Sequence, residues 1–446
     1  MTDPHGFELN LGDIRSLETL YRQAVREHRD NAFAAEITRR YTASPDDPLL
    51  AAWFFRLQGE PHADTVAPSR PIPWRLAVPF SLVLSLLYWL LAPDMASRVT
   101  TVPEFLILWA PVTACLLIVY LALAARSPTG SNAAGEVGEP TRSHRTRAAL
   151  LVLVLVALTA FSVALGPPGR ETYRTLLVLH LPLLATLAVG LFMTRPFDDQ
   201  NGFAALLKGA EVLLTAGVLA GAALAFVVIT TGLFSALSIT LSQPLQRWLF
   251  FGVPGLTPVL AFALTYDPAL PPLRQQLDQG FAKLLFTAAR LLLPMALLVG
   301  VLYLVSIPAN FFKPFQQREV LIIYNVMLFG VLALLCFATP LHESDIPVAW
   351  RRALRWAVVG VATLAVIVSL YALAATVYRT TAGGLTANRL TVLGWNALNI
   401  GLLGWFLIRQ ARGDWVAAIQ RVFRGGMVGY AVWSTLIVLL VPFLFP

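Results

Sequence analysis

From residue 74 onward, long apolar runs recur along the chain, each closed by a short polar stretch. Runs of about 20 apolar residues match α-helices that cross a hydrocarbon core of about 30 Å at about 1.5 Å per residue. Read in this way, eleven spanning segments are predicted, at 74–92, 103–125, 147–167, 172–193, 209–235, 245–266, 283–306, 319–338, 354–377, 389–409 and 425–444. The sequence before them has a different period. Leu11, Ile14, Leu17, Leu20, Tyr21 and Val25 share one helical face, opposite Arg15, Glu18, Arg22 and Glu27. This predicts an amphipathic helix from Leu11 to Tyr41, or two helices broken near Asp30-Asn31. Ser44-Pro-Asp-Asp47 then signals a new helix start, with Leu49, Leu50, Trp53, Phe54 and Leu57 as its apolar residues.

The resulting organisation is a helical hairpin over 1–58, a Pro-rich tether over 59–73, a two-helix membrane section over 74–125, a Gly/Ser/Pro-rich flexible linker over 126–146 and a nine-helix membrane body over 147–446. Composition agrees: 57% of the residues are apolar, 13% are charged, and the mean hydropathy is +0.68. Soluble domains carry roughly twice that share of charge, so the fold class is an all-α polytopic membrane bundle. The polar N-terminus lacks a basic start followed by a short apolar core, so the first apolar segment is expected to direct targeting. Cys115 and Cys336 both sit inside apolar runs, which favours packing roles over a disulfide or a metal site.

Charge adds orientation. The net charge is +8; residues 1–73 hold eight Arg and eleven Asp or Glu, a balance of −3, leaving +11 for the remainder. A basic membrane part reflects positive cytoplasmic loops rather than nucleic-acid binding. Alternate loops starting at Arg126 hold fifteen Lys or Arg, against eight in the opposite set. The larger set is expected in the cytoplasm, with the N-terminal hairpin; eleven spans then put the C-terminus in the periplasm.

Candidate chemistry is sparse. Lys208 and Glu211 enter the longest apolar run, but Val212 to Leu237 suffices to span, so Lys208 is expected at the headgroups with Glu211 less certain. Gly217 and Gly221, four residues apart, predict a close helix-packing face. Gly252, Pro254, Gly255 and Pro258 fall within seven residues, which predicts a broken helix, read either as a kink or re-entrant turn without a ligand or as freed backbone groups that line a substrate site. Arg290 is the candidate partner of Glu211 and of that substrate. His180 is read as filling a gap left by Pro182, and Asn325, Asn396 and Asn399 as interhelical polar glue. His342, Glu343 and Asp345 in one loop, and the Asp198-Asp199 pair, read as solvated loop charge, or as candidates for lipid-modifying chemistry. No Walker loop, HExxH, CxxC or GxSxG is present, and neither a cofactor nor a metal is expected. Residues 412–424 set Trp415, Val416, Ile419, Val422 and Phe423 against Arg412, Asp414, Gln420, Arg421 and Arg424, predicting an interfacial helix held by anionic lipid.

The stretch Arg379-Thr-Thr-Ala-Gly-Gly384-Leu385-Thr386-Ala-Asn388-Arg389 resembles a motif of the bacterial integral-membrane family known as domain of unknown function 4153. That motif has Tyr-Gly-Leu-Thr, two variable residues and Arg before a late membrane helix. Gly384, Leu385, Thr386 and Arg389 fit, while Gly383 stands where the tyrosine would be. The resemblance implies a multi-spanning bacterial membrane protein and supplies no catalytic residue. Physically, Gly383-Gly384 permits a tight turn and Thr386 to Asn388 can cap a helix beginning near Arg389. The alternative is that Arg379 and Arg389 hold an anionic headgroup or substrate at the outer surface. Transport, permeation or lipid translocation is the leading expectation, motivated by the 252–258 segment. A structural, sensory or accessory subunit that docks a protein through its N-terminal hairpin is second, and a lipid-modifying enzyme third.

Overall fold

The computed structural model describes residues 14–26, 30–44, 47–59, 72–93, 102–125, 142–167, 170–277 and 279–445. The proposed tether and most of the proposed linker lie outside them. Among the described residues every regular element is helical, and contacts divide the chain into two compact units, Met1–Pro71 and Ile72–Pro446.

The first unit has three helices, α1 (Ile14–Arg26), α2 (Asp30–Ala43) and α3 (Pro48–Gly59), so the long amphipathic stretch is two helices rather than one. Their apolar faces meet in a core of Leu17, Ala24, Phe33, Ile37, Leu50, Trp53 and Leu57. Phe33 and Trp53 meet edge to face at 5.8 Å between ring centroids.

The second unit carries eleven helices long and apolar enough to span a membrane. They are α4 (Trp74–Leu91), α5 (Glu104–Ala124), α6 (Arg142–Leu165), α7 (Glu171–Met193), α8 (Asp199–Ala236), α9 (Gln243–Thr265), α10 (Gly280–Ser306), α11 (Arg318–Ala338), α12 (Val348–Gly383), α13 (Ala387–Gln410) and α14 (Trp415–Leu444). This is a multi-pass membrane protein with an all-α bundle.

Two apolar cores organise it. One joins α4 to α9 through residues such as Leu84, Ile118, Leu155, Phe192, Ala205 and Val259. The expected division of a two-helix front from a nine-helix body therefore fails: α4 and α5 are built into the same core as α6 to α9. The other core joins α10 to α14 through Leu293, Leu335, Val361, Phe406 and Ile419. Helices α7 and α14 connect the halves, where Leu177 and Leu181 pack with Ile437, Val438 and Val441.

Successive spans alternate in direction, so loop contacts fall into two sets. At the first end, Arg421 reaches Asp199 and Arg355 donates to the Gln410 carbonyl at 3.1 Å. At the second end, Arg247 donates to the Ala92 carbonyl at 2.7 Å and Arg174 to the Val102 carbonyl at 2.6 Å. One close approach depends on a missing side chain: a Cβ at Gly394 would overlap the indole of Trp433, so α13 and α14 meet at glycine.

Candidate functional site

At the first end, charged side chains satisfy one another. Asp198 caps α8, accepting from the Asn201 backbone N–H at 2.7 Å. Asp199 accepts from Arg421 Nε at 2.8 Å and pairs with Arg424 Nε at 2.9 Å. Residues 412–424 are accordingly not a separate surface helix. They open the continuous helix α14, with Trp415, Val416, Ile419 and Val422 buried in the second core. The His342 loop is exposed, and Asp345 spends its carboxylate on the His342 backbone N–H at 2.8 Å. Asp198, Asp199 and Asp345 are thus committed to a helix cap, an ion pair and a loop turn. Among the described residues, no group of three or more His, Cys, Asp or Glu is arranged to hold a metal.

Lys208 and Glu211 form a buried ion pair, beside the loop that joins α9 to α10. Lys208 Nζ lies 2.7 Å from Glu211 Oε2 and donates to the Gln276 carbonyl at 2.9 Å, and the residues are 3% and 7% exposed. The expected Glu211–Arg290 pair does not form. Arg290 donates from Nε to the Ala338 carbonyl of α11 at 3.3 Å.

The segment expected to be broken is helical throughout. A π turn over Trp248–Gly252 absorbs the register change, and residues 252–256 keep right-handed helical φ and ψ. Pro258 cannot donate to the Pro254 carbonyl four residues back, and the Thr257 hydroxyl donates to that carbonyl instead, at 2.8 Å. Gly255 permits close packing, since a Cβ there would lie 3.0 Å from Tyr88 and 3.1 Å from Ser85 Cα. Pro258 borders an apolar crevice of about 290 Å³ between α5, α7, α8 and α9, and Arg290 is not part of its wall. Gly217 and Gly221 do not pack either: a Cβ on each would meet nothing within 4 Å.

The polar residues at depth act mostly within the bundle. His180 Nε2 accepts from Trp395 Nε1 at 3.3 Å, linking α7 to α13, and Asn399 Oδ1 accepts from Tyr430 at 2.6 Å, linking α13 to α14. Asn325 instead donates to the Leu321 carbonyl of its own helix, at 2.7 Å.

What the sequence left as an alternative is assembled at the second end. Here α11, α12 and α13 surround a cavity of about 380 Å³. Its wall contains Asn325 of α11, Thr376 and Arg379 near the end of α12, Gly383, and Thr386, Asn388 and Arg389 around the start of α13; Leu321, Ile322 and Val392 complete it. The turn between α12 and α13 creates the juxtaposition. Gly384 adopts φ +76°, a conformation that disfavours side chains, and reverses the chain. Thr386 Oγ1 then accepts from the Arg389 backbone N–H at 3.3 Å and starts α13, so the expected cap is present. Arg389 is held by this turn: Nη1 donates to the Gly384 carbonyl at 2.5 Å, and a Cβ on Gly383 would lie 2.9 Å from it. Arg379 is half-buried, and among the described residues it has neither a hydrogen bond nor a carboxylate partner. Leu385 is 52% exposed and outside the wall. Two guanidiniums, two amides and two hydroxyls, with no acid among the lining residues, give the cavity the charge and donors that suit an anion chemically.

No family model, no curated protein and no solved structure matches the chain.

Proposed function

We propose that this chain is a multi-pass protein of the bacterial cytoplasmic membrane, in the transport or lipid-translocating class, that binds an anion between α11, α12 and α13. In this reading the N-terminal unit and the first end face the cytoplasm, and the cavity and the C-terminus face the periplasm. The orientation rests on the Lys and Arg asymmetry of the loops. Two residues of the motif-like stretch, Thr386 and Arg389, line the cavity, and the resemblance itself implies a multi-spanning bacterial membrane protein.

One observation carries the proposal: Arg379 faces a cavity with no acid among its lining residues. Among the described residues Arg379 has no acidic counter-ion, and an anionic ligand supplies one through charge-assisted hydrogen bonds. Phosphate or sulfate should therefore stabilise the purified chain in neutral detergent, by about 2.7 kcal/mol at a hundredfold excess over Kd. Arg379→Glu should abolish that shift. Equal thermal shifts in the two proteins would refute the reading.

A second reading is favoured by one surface. Phe55 is 61% exposed and meets Tyr41 edge to face at 6.0 Å, which leaves an aromatic face on the N-terminal unit for a protein partner. Unchanged crosslinked partners after deletion of residues 1–60 would sink this accessory role.

A further inference from the structure

We infer that the cavity binds a phosphate group carried by a lipid, namely the headgroup of an anionic phospholipid bearing free hydroxyls. The inference rests on the anion-binding reading above and names the class of its ligand.

The donors and acceptors are sorted along the wall. Arg379 offers all its N–H groups, whereas Arg389 has one engaged by the Gly384 carbonyl. The Thr386 hydroxyl accepts from the Arg389 backbone, which leaves its proton free to donate. These groups, with the Asn388 amide, suit phosphate oxygens. Two others have the opposite polarity. Thr376 donates its proton to the Ala372 carbonyl at 2.9 Å, and the Asn325 amide donates to the Leu321 carbonyl at 2.7 Å. Each is left with a lone-pair oxygen that calls for a donor from the ligand. A phosphate next to hydroxyl groups satisfies both sets. A choline headgroup supplies no N–H or O–H and would bring a cation towards two guanidiniums.

The surroundings point to a lipid. Leu321 belongs both to the cavity wall and to an aromatic cluster containing Tyr324, Tyr371 and Phe315. Aromatic clusters near the ends of spans mark headgroup depth. Ile322 lines the cavity yet is 52% exposed, and Ile323 and Val326 on the same helix are 65% and 67% exposed. The cavity thus continues onto an apolar helix surface where an acyl chain can lie.

The test uses the full chain, delipidated in neutral detergent, with native mass spectrometry of retained lipid. Phosphatidylglycerol and phosphatidylcholine are offered in equal amounts, and inorganic phosphate is titrated in a parallel thermal-shift series. Wild type should retain phosphatidylglycerol about tenfold over phosphatidylcholine, as expected for a charge-assisted contact. Arg379→Gln should fall to parity, and because Arg379 has no partner among the described residues the variant should keep wild-type thermal stability. Arg274→Gln at the first end should behave as wild type. Asn325→Leu should keep the preference for anionic lipid but lose discrimination between phosphatidylglycerol and phosphatidic acid. Equal retention of phosphatidylglycerol and phosphatidylcholine by wild type overturns the lipid inference. If inorganic phosphate still stabilises wild type through Arg379 in that case, the ligand is a soluble anion and the broader reading stands. Loss of both signals removes both.

Discussion

Replacing Lys208 by Met tests the most heavily buried ion pair among the described residues. Its side chain is 4% exposed and that of Glu211 is 10% exposed, with 2.7 Å between their charged atoms. Removing the ammonium leaves a carboxylate out of water with no cation opposite it, which typically costs about 3–5 kcal/mol. Glu211→Gln has the converse effect, although the Gln276 carbonyl still accepts from Lys208 and reduces the cost. Replacing both by apolar residues, as in Lys208→Met with Glu211→Leu, removes the unpaired charge altogether. The double variant should therefore lie within about 1–2 kcal/mol of wild type, and the coupling in a double-mutant cycle should be about 3 kcal/mol. Reversible unfolding in mixed micelles, followed by tryptophan fluorescence, measures each corner. If each single variant loses less than about 1 kcal/mol, or if the losses simply add, the pair is hydrated and the reasoning is wrong.

Glycine substitutions separate close packing from open surface. Gly394→Ala forces a Cβ into the Trp433 ring and should destabilise α13 against α14 by about 1–3 kcal/mol, whereas Gly217→Ala and Gly221→Ala should be neutral within about 0.5 kcal/mol in the same unfolding assay. Tyr266, just beyond α9, gives a pH signature. Burial pushes its phenol up from 10.0 to about 12, although the Arg195 guanidinium pulls it back and Asp267 adds to the rise. The unfolded chain then loses this proton first, so the phenol's contribution is complete below about pH 10 and declines as pH climbs towards 12. Melting temperatures measured at pH 9 and 11 should fall less in Tyr266→Phe than in wild type, and equal falls would contradict the assignment.

The spans were legible because a bilayer imposes a length and a polarity that few other environments do. The segments predicted at 172–193 and 283–306 match α7 and α10 to within three residues at either end. The late starts have a common cause. Helices α8, α12 and α14 begin ten, six and ten residues before the predicted spans, as 209 − 199, 354 − 348 and 425 − 415. Those extra turns carry charge that looked incompatible with a buried helix, such as Lys208 and Arg421. Their partners, Glu211 and Asp199, are three and 222 residues away. Only folding brings the second pair together. The 252–258 segment misled for a different reason. Proline and glycine limit local geometry, but a π turn over Trp248–Gly252 and the Thr257 hydroxyl on the Pro254 carbonyl meet those limits without opening the helix. The cavity was half legible. Arg379 and Arg389 stood close in sequence, but Asn325 read only as interhelical glue and Thr376 gave no signal, because neither spacing nor residue type shows that α11 packs beside the α12–α13 turn.

Helix α12 runs for 36 residues with no internal proline, about 54 Å in all. It outreaches a hydrocarbon core of about 30 Å, and Gly360 near its first third rests on Leu297 of α10. Arg355, tied to the Gln410 carbonyl, is near one end and Arg379 is near the other. A rod of this length without a joint, resting on Leu297 partway along, can act as a lever. Tilting it to tighten the cavity around Arg379 would swing Arg355 the opposite way, so the state of one membrane face would be written mechanically on the other.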